Sequence, residues 1–124
     1  MNDEDLNNAV ARAMGLTRSP GTRIDKNGIE TPIVYWGKIE GDTLRLVTGW
    51  NPAGDWRYTG TVLEWLSQEL TRRVTMSHCL DRSWHVRVEA GSYTRPRLRV
   101  KVSADTLERA ICLAAVEVGK RESI

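Results

Sequence analysis

Apolar positions along the chain follow helical spacing in three stretches and strict alternation in a fourth. Leu6, Val10, Ala13 and Met14 fall at i, i+4, i+7 and i+8, which predicts a helix over about Asp3–Met14. Asp3, Glu4 and Asp5 occupy its first turn, where the helix dipole favours negative charge, and Gly15 offers a stop. A second helix is expected within residues 58–75, with Val62, Leu63, Leu66 and Leu70 as its buried face. Thr61 and Glu64 form a capping-box pattern for its start, and Arg72 and Arg73 suit its C-terminal dipole. The third covers residues 103–119: Ser103 is the candidate N-cap, and Leu107, Ala110, Ile111, Ala114 and Val118 recur at helical spacing. Gly119, Lys120 and Arg121 close it. Alanines on that stripe predict a helix lying close against a sheet.

The alternating stretch is residues 84–102. Trp84, Val86, Val88 and Ala90 alternate with His85, Arg87 and Glu89. Beyond the turn-like residues 91–96, Leu98, Val100 and Val102 alternate with Arg97, Arg99 and Lys101. This predicts an antiparallel hairpin with one apolar and one charged face. Ile33–Trp36 and Thr43–Val47 are further strand candidates around a turn at Glu40-Gly41-Asp42, whereas residues 17–28, with Pro20 and Gly21, read as a loop. The expected class is α+β. An antiparallel sheet of about four strands is sandwiched by or packed with three helices, in one domain spanning residues 1–124: an N-terminal helix (1–16), strands and loops (17–57), a helix (58–75), the hairpin (84–102) and a C-terminal helix (103–119).

Composition changes this picture in one place. The net charge of +2 is too small to indicate nucleic acid, but it is unevenly spread. Residues 71–101 carry eight Lys/Arg against Asp81 and Glu89 alone. Arginine outnumbers lysine 14 to 4, which fits either a coding bias or a preference for the planar, bidentate guanidinium at a contact surface. The two cysteines, Cys79 and Cys112, lack metal or redox spacing. The chain starts with Met-Asn-Asp-Glu-Asp, unlike a secretion signal, and holds no apolar run approaching the ~18 residues of a membrane span. A cytoplasmic protein without membrane partners is the expectation.

Catalytic and metal chemistry find little purchase. His78 and His85 are the only histidines, Cys79 adjoins His78 without being positioned by it, and Cys112 falls on the third helix. No nucleophile–base pair, paired zinc-ligand spacing, carboxylate cluster or glycine-rich phosphate loop stands out. The sequence therefore predicts no catalytic residue, no metal site and no cofactor. The candidate site is the charged hairpin face: Arg87, Arg97, Arg99 and Lys101, with Tyr93 and Arg95 at the connecting turn. Such a face could meet an acidic protein surface, a nucleotide's phosphates or a nucleic-acid backbone; it could also be a solvated face, or one neutralised by Glu89 or an acidic helix. Among the five tryptophans, Trp65 and Trp84 read as core. Trp56, at the loop before the second helix, is the one expected to be partly exposed and to anchor a partner.

Three short segments resemble the phage ABA sandwich domain family of bacteriophage and prophage proteins. They are Ala13-Met14-Gly15, then Pro52 and Asp55 leading through Tyr58 to Trp65, and Ala110-Ile111-Cys112 followed by Ala114 and Ala115. Residues 50–119 carry most of the match. Ala53-Gly54 and Leu113 depart from the family pattern, and residues 16–48 are elaborated. The resemblance implies helix–sheet–helix layering and a phage origin, with no catalytic residues to carry over. The function expected is a phage-encoded accessory protein in the host cytoplasm that binds and inhibits a host protein or protein complex, such as a CRISPR-type defence component. The alternatives are a sequestering binder of a nucleotide signal and a nucleic-acid-binding protein, and a homodimer is compatible with each.

Overall fold

A computed structural model describes residues 2–40, 43–68, 72–92 and 94–122, without the side chains of residues 39–40 and 43–46. The fold is α+β, with elements in the order α1 (Asp3–Ala13), β1 (Thr17–Ile24), β2 (Glu30–Glu40), β3 (Thr43–Val47), α2 (Trp56–Leu66), β4 (Arg72–His78), β5 (Trp84–Gly91), β6 (Pro96–Ala104) and α3 (Leu107–Glu122). The strands form two antiparallel three-stranded sheets, β1-β2-β3 and β4-β5-β6. The chain divides into two compact units, Gly15–Trp50 and the remainder, Met1–Met14 with Asn51–Ile124.

In the larger unit α3 lies against β5 and β6, and α1 and α2 pack on α3. Val86, Val88, Ala90, Leu98 and Val100 point inward from the sheet. Leu6 and Val10 from α1, Val62 and Leu66 from α2, and Ile111, Ala114, Ala115 and Val118 from α3 complete the core. Each fully buried aliphatic side chain contributes roughly 1.5–3 kcal/mol of transfer free energy. The hairpin register pairs Val86 with Val102, Val88 with Val100 and Ala90 with Leu98, so the alternation read from the sequence becomes one continuous apolar face. A bulge follows Ala90. Gly91 sits there at φ +93, and a Cβ at this position would come within 2.8 Å of the Arg97 amide nitrogen.

The helix ends differ from the expectation. Asn2 caps α1, its side chain accepting the Asp5 amide at 2.8 Å. α2 begins at Trp56, because Asp55 caps it through the Arg57 amide at 3.0 Å, and Thr61 lies inside the helix. It ends at Leu66, whereas Leu70 lies outside the described residues. Arg72 and Arg73 start β4 instead of closing the helix; the intervening Val74, Thr75 and Met76 are β-compatible residues that pair with β5. β6 runs through Ser103, and the N-terminal cap of α3 is Thr106, whose hydroxyl accepts the Arg109 amide at 3.2 Å. Gly119 lies within α3, where a Cβ would stand 2.6 Å from that of Ala13. The two helices approach closely there.

A buried polar network fixes the loop before α2. Asn7 on α1 accepts the Ala53 amide at 2.8 Å and donates to Asn51 Oδ1 at 2.9 Å. The Thr59 hydroxyl donates to the Pro52 carbonyl at 2.6 Å. Pro52 and Asp55, two of the residues on which the resemblance rests, are thus parts of the connection that is pinned to α1 and leads into α2.

In the smaller unit, β1 replaces the loop expected over residues 17–28. It pairs with β2 from Thr17 opposite Gly37 to Ile24 opposite Glu30. Pro20 is compatible with β1 as an edge strand, which has a ladder partner on one side only. β2 extends the candidate Ile33–Trp36 at both ends, β3 matches the candidate Thr43–Val47, and the two pair from Trp36 opposite Val47 to Glu40 opposite Thr43; Gly41 and Asp42 of the expected turn lie outside the described residues.

Candidate functional site

The outer face of the β4–β6 sheet is built by side chains that alternate away from the core. Its rows, read from the register, are Arg73–Glu89–Arg99, Thr75–Arg87–Lys101 and Ser77–His85–Ser103. Arg87 and Lys101 are directly opposite, a like-charge pair that costs stability unless a neighbour offsets it. Glu89 supplies that offset: its carboxylate stands 3.5 Å from the Arg87 guanidinium and 3.9 Å from that of Arg73. Arg73 also donates to the Gly91 carbonyl at 2.9 Å.

The sequence-derived arginines therefore separate into two groups. Arg97 reaches the end of α3 and pairs with Glu122 at 2.7 Å, and Arg87 is held by Glu89. These two are partly neutralised within the chain. Arg99 and Lys101 are exposed and have no carboxylate partner among the described residues. They are neighbours at i and i+2 on a strand whose opposite face is locked into the core, so both charges project from rigid backbone. Arg95 is exposed in the β5–β6 loop, where its amide donates to the Ser92 hydroxyl at 3.0 Å. Tyr93 lies outside the described residues.

Trp56 is half exposed, as expected of an anchor, but it belongs to a different surface. It opens α2, which packs on α3, which in turn lies on the inner side of the sheet. The structure does not bring it to the basic face. Trp65 meets an arginine instead: the Arg72 guanidinium lies 5.4 Å from its ring centroid and donates to its carbonyl at 3.3 Å. Cys112 is fully buried on α3, and burial pushes its thiol up to about 12.

One group escapes the sequence reading. The β4–β5 turn brings Cys79, Asp81 and His85 together, with one potential ligand atom from each within 4.8 Å of the others. Ser83 lies among them: its hydroxyl donates to Asp81 Oδ1 at 2.6 Å and is 3.0 Å from His85 Nε2. The Ser83 hydroxyl and amide hold the Asp81 carboxyl below its ordinary range. The order is carboxylate, hydroxyl, imidazole, so the imidazole does not stand between the other two as it does in a serine-activating triad. Considering Cys79 with its neighbour His78 hides the grouping, since His78 turns away to stack on Trp84 at 4.5 Å between ring centroids. The readable signal is Cys-x-Asp-x-Ser-x-His spanning a turn.

Comparison of the chain with protein-family models, curated proteins and solved structures returns no match. Among the described residues no helix is long and apolar enough to cross a membrane.

Proposed function

We propose that the chain is a non-enzymatic, phage-encoded accessory protein that acts in the host cytoplasm by binding and inhibiting a host protein, of the kind that serves bacterial defence. The observation that carries this reading is the pair Arg99 and Lys101, exposed side by side on a rigid strand with no carboxylate partner among the described residues. Preorganised cations of this kind match an acidic protein surface, steering its approach and fixing its register. Arg87 and Arg95 flank the pair, and Arg97 joins it when the acidic partner displaces Glu122 from its guanidinium. The phage setting rests on the three short segments that resemble the phage ABA sandwich domain family.

The nucleotide reading needs a base stacked beside the arginines. Trp56 belongs to α2 and does not stand beside Arg99, so it is not the stacking platform, and Tyr93, the other candidate, lies outside the described residues. The protein partner is favoured because the exposed cation pair alone suffices for it. The test is a phage-challenge assay in bacteria carrying an active CRISPR defence. Wild-type chain should restore plaque formation, and the doubly reversed Arg99→Glu, Lys101→Glu chain, expressed at the same level, should not. Full immunity in the presence of well-expressed wild-type chain would contradict this partner class. Saturable thermal stabilisation by a cyclic nucleotide would replace the proposal with the sequestering one.

A further inference from the structure

We propose that Cys79, Asp81 and His85 form a three-ligand site for a divalent transition cation of the Zn2+ type at the β4–β5 turn. The proposal is independent of the basic face and its partner. It begins with how the turn is made. The Arg82 amide donates to the Cys79 carbonyl and the Cys79 amide to the Ser83 carbonyl, both at 2.9 Å, and Arg82 adopts φ 68. This is a three-residue hairpin loop, Leu80-Asp81-Arg82, closed by a residue in the left-handed region. The closure places Cys79 at the end of one strand, Asp81 on the loop and His85 at the start of the next strand around one point.

The donor set selects the ion. A thiolate, a carboxylate oxygen and an imidazole nitrogen are the ligands of zinc and its borderline neighbours, whereas calcium and magnesium need several oxygens. Tetrahedral coordination at ordinary zinc–ligand lengths sets donor atoms roughly 3.3–3.7 Å apart, so donors already within 4.8 Å need close by only about 1 Å. Side-chain rotation suffices for that. Ser83 already orients Asp81 and contacts His85 Nε2, the position of an outer-shell partner that sets ligand direction. On binding, the Cys79 thiol releases its proton to solvent, a metal–sulfur bond forms, and waters leave the ion. His85 binds as the neutral ring. The nearest fixed cation along β5, Arg87, is held by Glu89, which limits its repulsion of the metal. Three protein ligands leave a fourth position for water.

Cobalt(II) is the probe. Titration into the reduced full chain should produce a thiolate-to-cobalt charge-transfer band that saturates at one equivalent and is displaced by Zn2+. Cys79→Ser should abolish the band. His85→Gln and Asp81→Asn should each raise the dissociation constant at least about tenfold, since even outer-shell changes cost roughly 10–100-fold. The three substitutions fall at or beside the β4–β5 turn, with Asp81 and His85 exposed and Cys79 half-buried, and circular dichroism would verify that the variants remain folded. Absence of a saturable band in the wild type would overturn the proposal. So would a band that persists in Cys79→Ser, which would point to Cys112, or one that His85→Gln and Asp81→Asn leave unchanged, which would leave a lone thiol.

Discussion

The two three-stranded sheets share one connectivity, each an antiparallel meander, yet they bury their residues in opposite ways. In β5 and β6 every inward residue from Val86 to Ala90 and from Leu98 to Val100 is buried, and its neighbours face solvent. In β1 seven of eight residues are exposed, including Ile24. The difference lies in what covers each strand. α3 lies over β5 and β6, so those two strands must alternate. β1 has no such requirement, and its sequence Thr-Arg-Ser-Pro-Gly-Thr-Arg-Ile is free to be polar on both sides. Strand pairing there rests on backbone hydrogen bonds, and register is weakly specified by side chains.

Substitutions that separate covered from uncovered positions should reveal this contrast as a gradient of stability. Ile111→Ala on α3 removes a fully buried side chain and should cost about 2–5 kcal/mol in denaturant unfolding. Gly119→Val drives a branched side chain into Ala13, where even a Cβ approaches to 2.6 Å, and should cost about 1–3 kcal/mol by overpacking. Asn7→Ala strips the Ala53 amide of its acceptor beneath a closed loop and should also cost about 1–3 kcal/mol. At the other extreme, Ile24→Ser on β1 should change stability by no more than about 0.5 kcal/mol. A large loss at Ile24, or none at Ile111, would remove the distinction between the sheets.

Legibility in the sequence followed the same contrast. The hairpin, α1 and the core stripe of α3 could be read because each has one buried face, and burial forces a period. β1 could not, since Pro20 and Gly21 argue against a strand and no alternation argues for it; only pairing with β2 rescues it. β4 was hidden for another reason. Arg72 and Arg73 fit a helix C-terminus as well as a strand start, and the choice between them is made by β5 across the ladder. At the candidate site, the exposure of Arg99 and Lys101 followed from alternation. The capture of Arg97 by Glu122 did not, because it depends on where α3 ends relative to β6. The cluster of Cys79, Asp81 and His85 depended on a turn whose closing residue is Arg82, where a glycine would have announced it.

Charge reversal on the outer face tests the central claim most directly. Tagged wild-type chain and its Arg99→Glu, Lys101→Glu variant would be used to capture partners from defence-carrying bacterial cells, with both proteins shown to be equally stable. A protein retained by the wild type, released by moderate salt and absent from the variant eluate is the predicted result. Equal retention of the same partner by both chains would contradict the assignment of the basic face as the contact surface.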